Sequence, residues 1–200
     1  VLLDRKTSLT GVYDSGTNKT TWTLPYQESN SREVVLGGSW SSTQKGRNLT
    51  LASSTNTTLV VDGDYSANPA IVGRKYTFKY TFPTFYVKEQ KAGGSSTSVN
   101  IGRLQLKNMS LVYGDTGYFE VVLTPLARTA TTYKFTGQLL GSSSFTLGTP
   151  NLESGTFKFP IQCKNEDTVI DITSDSYIPC NFLSAEWEGI FSVLSTRVIT

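Results

Sequence analysis

The chain has 200 residues, a formal net charge of +2, two cysteines and no histidine. That length holds one domain, or two small lobes, with a core of useful size. The lack of imidazole excludes Ser-His-Asp and Cys-His nucleophile sites, histidine-ligated metals and histidine pH switches, and the charge balance offers no basic stripe to grip nucleic acid.

Serine, threonine, glycine, aromatic and β-branched residues are frequent, which favours strands and turns over helices. Val1–Leu3 and Thr20–Leu24 read as short strands around the turn-rich Asp14-Ser-Gly-Thr-Asn18, and Trp22 among threonines suits a half-buried strand. Residues 27–32 form a polar loop. Val34–Leu36 is a short strand ending at Gly37-Gly38, and Asn48–Ala52 and Thr57–Val61 follow as strands. Tyr76, Phe78, Tyr80 and Phe82 alternate with Thr77, Lys79 and Thr81, so four aromatics share one face and polar residues the other. The expectation is a core face; the competing reading is an exposed stacking platform for sugars or bases. Pro83 ends this strand, and Phe85–Lys88 continues it after a kink. Lys91–Ser98 has nothing to bury and is expected as a mobile loop.

Asn100–Leu126 organises the rest of the chain. Apolar residues alternate at Leu104 and Leu106, then slip by one to Met109, Leu111 and Tyr113, which marks a β-bulge at Lys107-Asn108. Gly114-Asp-Thr-Gly117 reads as a four-residue reversal and Tyr118–Leu123 as the returning strand, giving a long β-hairpin. Tyr133/Phe135, Phe157/Phe159/Ile161 and Ile170/Ile172 alternate as further strands. The run 183–194 fits a strand with a bend at Gly189, or a helical stripe through Leu183, Trp187, Ile190, Phe191 and Leu194; strand is the choice, because the surrounding chain is strand throughout. The expected fold is therefore all-β: antiparallel sandwich- or barrel-like sheets with long hairpins and little or no helix. Residues 1–200 form a single all-β region, with 91–98 the place where two lobes would meet.

No residue is assigned a catalytic, cofactor-binding or metal-ligating role. Walker and GxGxxG loops are missing. Asp62/Asp64, Glu166/Asp167 and Glu186/Glu188 are the carboxylate pairs available to two-acid hydrolysis, but they sit at strand ends and on a face expected to be solvated. Asp62-Gly-Asp64 lacks the closing Glu of a calcium loop and reads as a turn. Asn18, Asn48, Asn56 and Asn108 open Asn-x-Ser/Thr triplets, which a chain rich in Ser and Thr produces by chance. Cys163 and Cys180 read as unpaired or reduced thiols. No run is long enough to cross a bilayer, and no leader opens the chain. Val1 in place of Met, starting inside an apolar run, suggests a fragment or a processed chain.

Several strings, in one order along the chain, resemble the tail tubular protein B (tail nozzle protein) family of T7-like short-tailed bacteriophages. They are Leu3-Asp-Arg5, Asp62-Gly-Asp64, Tyr76-Thr-Phe-Lys-Tyr-Thr-Phe82, Gly102-Arg-Leu-Gln-Leu106, Met109-Ser-Leu-Val-Tyr113, Asp115-Thr-Gly-Tyr-Phe-Glu-Val121 and Ser184-Ala-Glu-Trp-Glu-Gly189. The resemblance implies the C-terminal portion of a virion structural protein with no enzymatic activity. It implies a ring of six subunits, contacts with the tail adaptor protein (tail tubular protein A) and with tail fibres, and assembly in the host cytoplasm. DNA would pass through without tight binding. The alternative is a carbohydrate- or receptor-binding β-sandwich using Trp22, Trp40 or the aromatic strand. A surface hydrolase using Asp62 or Glu186 is the third reading.

Overall fold

A computed structural model describes residues 1–90, 93–99, 102–137 and 150–193. Eight strands come first: β1 (Asp4–Leu9), β2 (Val12–Asp14), β3 (Lys19–Thr23), β4 (Arg32–Leu36), β5 (Asn48–Leu49), β6 (Ser53–Ser54), β7 (Thr58–Asp62) and β8 (Ala70–Arg74). They make two antiparallel sheets, in the orders β1-β8-β4-β5 and β2-β3-β7-β6. Inward positions from both sheets, Trp22, Leu59 and Val61 against Val34, Leu36 and Val72, close on one buried cluster. Period-two alternation in β3 and β7 puts Thr20 and Trp22, then Leu59 and Val61, on the covered side.

Nine strands follow: β9 (Phe78–Thr81), β10 (Lys88–Gln90), β11 (Ser96–Ser98), β12 (Arg103–Thr116), β13 (Tyr118–Pro125), β14 (Thr131–Thr136), β15 (Glu153–Lys164), β16 (Thr168–Ser174) and β17 (Phe182–Ser192). A three-stranded sheet, β15-β12-β17, and a four-stranded one, β14-β13-β16-β9, enclose a second cluster built on Leu106, Met109, Leu111, Phe119, Val121 and Phe159. The first cluster takes its residues from Leu9 to Val72 and the second from Phe78 to Phe191. Residues 96–98, expected in a mobile loop, instead form β11, which pairs with β10 in an exposed two-stranded ribbon. Three backbone pairs, Lys88 with Ser98, Glu89 with Thr97 and Gln90 with Ser96, join its strands, and every residue of both is exposed. Lys91 and Ala92 lie outside the described residues. The segment 183–194 is strand, as expected, from Phe182 to Ser192; Leu194 lies outside the described residues.

The bulge expected at Lys107-Asn108 is present, with pairing on both sides of β12 shifting register between Leu106 and Asn108. Between the same two levels the chain advances two residues on β17 (Gly189 to Trp187), three on β12 (Leu106 to Met109) and four on β15 (Cys163 to Phe159). The sheet therefore fans open toward β15, and Gln162 there takes φ +52. On the narrow side a Cβ at Gly189 would meet the Gln105 carbonyl at 2.8 Å.

The expected hairpin is corrected. β12 and β13 do not pair; β12 lies between β15 and β17, and β13 between β14 and β16. Gly114, Asp115 and Thr116 prolong β12, and Gly117 alone separates it from β13. Asp115 takes φ +48 at a second register shift, and its amide is held by Ser154 Oγ at 3.0 Å. The chain thus changes sheet at a corner. A side chain at Gly117 would meet Ile178 Cγ2 at 2.2 Å and the Asn151 carbonyl at 3.1 Å, so the crossing admits only glycine without displacement. The hairpins of this unit lie elsewhere, β13–β14 among them.

Candidate functional site

The carboxylate pairs singled out above are each held in local structure. Asp62 ends β7 and faces Lys19 at 4.0 Å, while Asp64 accepts from the Ser66 amide and hydroxyl in the next turn. Glu166 and Asp167 form a single 3-10 turn, in which Lys164 pairs with Glu166 and the Asp167 carbonyl accepts from the Leu126 amide. Glu186 and Glu188 project from the outer face of β17, where Glu188 accepts from Asn108 Nδ2 at 3.1 Å and from Lys158 Nζ at 3.2 Å. Those two bonds, Asn108 first, hold the Glu188 carboxyl below its usual range. The result is a polar ladder across β17, β12 and β15. Cys163 and Cys180 are free, half-buried thiols.

The aromatic platform is corrected. Trp22 is fully buried and Trp40 nearly so, with Trp40 Nε1 bonded to the Pro69 carbonyl at 2.9 Å. Neither can stack on a sugar. In the 76–82 stretch only 78–81 pair as strand; Phe78 and Phe82 pack on the second cluster, but Tyr80 is 47 % exposed and meets Phe82 edge-on at 5.0 Å. The core reading holds for Phe78 and Phe82 and fails for Tyr80, because β9 is an edge strand and the sandwich stays open beside it. The polar face of β9 grips Asp171: Thr81 Oγ1 donates at 2.5 Å and Lys79 Nζ lies at 3.0 Å. Burial alone would raise that carboxyl, and the two donors outweigh it and hold it below its ordinary value.

A cleft of about 350 Å³ opens where the two sandwiches meet and is lined by Glu33, Asn48, Lys75, Asp175, Tyr177 and Ile178 among others. Three contacts brace it: the Leu2 amide to the Tyr177 carbonyl (2.8 Å), Tyr177 Oη to the Gly46 carbonyl (3.0 Å) and Lys75 to Asp175 (3.5 Å). Sequence reading missed this junction. Its one local signal is Glu33, a carboxylate opening the apolar run of β4. Glu33 Oε2 and Asn48 Oδ1 are buried without hydrogen-bond partners, and burial pushes the Glu33 carboxyl up despite the opposing pull of Lys75. A carboxyl whose folded pKa is raised stabilises the fold below its unfolded pKa and loses that contribution as pH rises through the folded value. Glu33→Gln is therefore expected to raise the melting temperature by a few degrees at pH 7 and to leave it unchanged near pH 4, as differential scanning calorimetry at the two pH values would show.

The geometry is that of paired sheets, buried aromatics and cross-strand ion pairs, an arrangement suited to bearing shape. No helix among the described residues is long and apolar enough to cross a membrane. Comparison with known proteins places the chain among the structural proteins of bacteriophage tails. It belongs to the bacteriophage nozzle protein family, whose model matches residues 1–198. It is 29 % identical to the tail tubular protein gp12 of Escherichia phage T7 over 133 residues, which is 66 % of this chain and 16 % of that relative, so the matched stretch is about a sixth of the relative's own length.

Proposed function

We propose that these 200 residues form one all-β section of the wall of a short-tail nozzle, through which viral DNA leaves the particle. The observation that carries this is the family match along nearly the whole chain. The complete subunit assembles in the host cytoplasm into a ring of six, meets the adaptor ring (tail tubular protein A) on one side and contacts tail fibres. The section supplies shape and subunit contacts and catalyses nothing.

Charge supports passage without capture. Among the described residues, eight Lys and Arg side chains (Arg5, Lys19, Arg74, Lys75, Lys79, Lys134, Lys158 and Lys164) stand within 4.0 Å of a carboxylate. Each phosphate contact strengthens binding steeply at low salt, so a wall past which a polyanion slides must keep free cations few. Fluorescence anisotropy with duplex DNA and the full-length chain tests this. Dissociation constants are expected above about 10 µM at 150 mM salt, weaker than non-specific binders at their tighter end. Sub-micromolar affinity with a steep salt slope would refute passive passage.

A further inference from the structure

We infer that the β17 flank of one copy carries the β15 flank of the next, so that the three-stranded sheet runs on across the subunit boundary. This rests on the ring reading above and specifies its seam.

The second sandwich is open along one side. There β9 and β17 are both edge strands, and among the described residues each has a neighbour on one side only. Between them lies an apolar groove of about 290 Å³, floored by Phe78, Leu111, Ile172 and Phe182 with Ala185 and Tyr80 at its lips. Leu183 beside it is 71 % exposed. Soluble proteins blunt such edges with proline, lysine or a bulge. The eleven residues of β17 contain neither residue, and its open half from Phe182 to Trp187 is matched one-to-one to β12 except for a shift at Val112/Tyr113.

The opposite flank of the same sandwich fits it. β15 pairs with β12 alone among the described residues. Its edge is regular from Thr156 to Phe159 and is then broken by Pro160 and the bulge at Ile161-Gln162, which sets a natural end to any pairing there. Because β12 is antiparallel to both neighbours, β15 and β17 run in the same direction. They also stand level: Val112 faces Thr156 on one side and Ser184 on the other, Ser110 faces Lys158 and Glu186, and Met109 faces Phe159 and Trp187. Repeating the molecule sideways therefore sets β15 beside β17 in parallel, with core-facing side chains still facing the core.

Charge selects a second copy as the occupant. In that register Lys158 of the next copy stands beside Glu186, which has no ion-pair partner among the described residues. A twofold contact of β17 with itself would instead set Glu186 and Glu188 against their own copies. Unlike flanks joined head to tail make a heterologous interface, which closes into a ring when the rotation between successive copies sums to a full turn.

Charge reversal in the full-length chain, followed by native mass spectrometry, tests the seam. Glu186→Lys and Lys158→Glu are each expected to raise the subunit concentration at half-assembly by roughly tenfold, and the double reversal to restore it. Glu188→Gln, which removes the charge paired with Lys158 inside one copy and keeps an amide oxygen for Asn108 to donate to, should leave rings intact. A second probe is the Thr156→Cys/Ser184→Cys double variant. Within one copy these positions are two strand spacings apart, about 9–10 Å, too far for a disulfide. Oxidation should therefore give a covalent ladder between copies that neither single variant gives. Wild-type rings together with unaffected reversals and no ladder would overturn the seam and leave the ring standing. A wild-type chain that stays monomeric would overturn the ring and the seam with it.

Discussion

Phe119→Ala is expected to destabilise the second sandwich by about 3–5 kcal/mol, the range for deleting a fully buried phenyl ring. Phe119 has no exposed surface and lies where both sheets meet at the corner after Gly117. Its ring touches Phe135 (4.9 Å), Phe182 (5.0 Å), Phe157 (5.4 Å) and Tyr113 (5.9 Å), drawn from β14, β17, β15 and β12. No neighbour can fill the void without leaving its own partners, so the cavity persists. Against a typical total of about 5–15 kcal/mol, the loss is large. Hydrogen exchange should show it as lost protection in β12, β13, β15 and β16, with β3, β4, β7 and β8 unchanged. A loss below about 1 kcal/mol would mean that the aromatic cluster does not hold the sheets together.

Trp22→Ala should have the complementary effect, about 3–5 kcal/mol confined to the first sandwich. Trp22 is fully buried between β2-β3-β7-β6 and the facing sheet. Its indole Nε1 is buried without a partner, so the ring contributes through packing alone and against a polar penalty. Trp22→Phe keeps most of the apolar volume and removes that orphan donor, and its effect should be well below that of the alanine variant. Exchange protection lost in both sandwiches from either substitution would show that the junction at Tyr177 couples them into one cooperative unit.

The sequence announced the strands better than their partners. The slip from Leu106 to Met109 disclosed the bulge, because side-chain period is a local property and a one-residue slip in it requires an extra residue in the strand. Gly114-Asp-Thr-Gly117 reads as a reversal, yet it forms a corner between sheets. Glycine and aspartate specify an unusual backbone in either case, and the decision between the two lies elsewhere in the chain: β15 and β17 occupy both edges of β12, leaving no place for β13. Trp22 and Trp40 offer the same ambiguity. A tryptophan serves a core or a platform equally well, and only the facing sheet of the first sandwich decides. Glu33 is invisible as a site in the sequence because the residues that line the cleft with it, Asn48, Lys75 and Asp175, are distant in the chain and meet only where the two sandwiches abut.

The family itself was legible, since short strings in a fixed order carried it across nearly the whole chain. What those strings could not disclose was which flank of which sheet meets a neighbour, as an edge becomes an edge only once strand order is known.

Cryo-electron microscopy of the full-length chain, assembled with its adaptor ring, tests the central claim most directly. The account predicts a closed ring in which this section repeats around the channel as part of its wall, with the β17 flank of each copy against the β15 flank of the next. A section that hangs free of the wall, or a chain that remains single beside its adaptor, would contradict it.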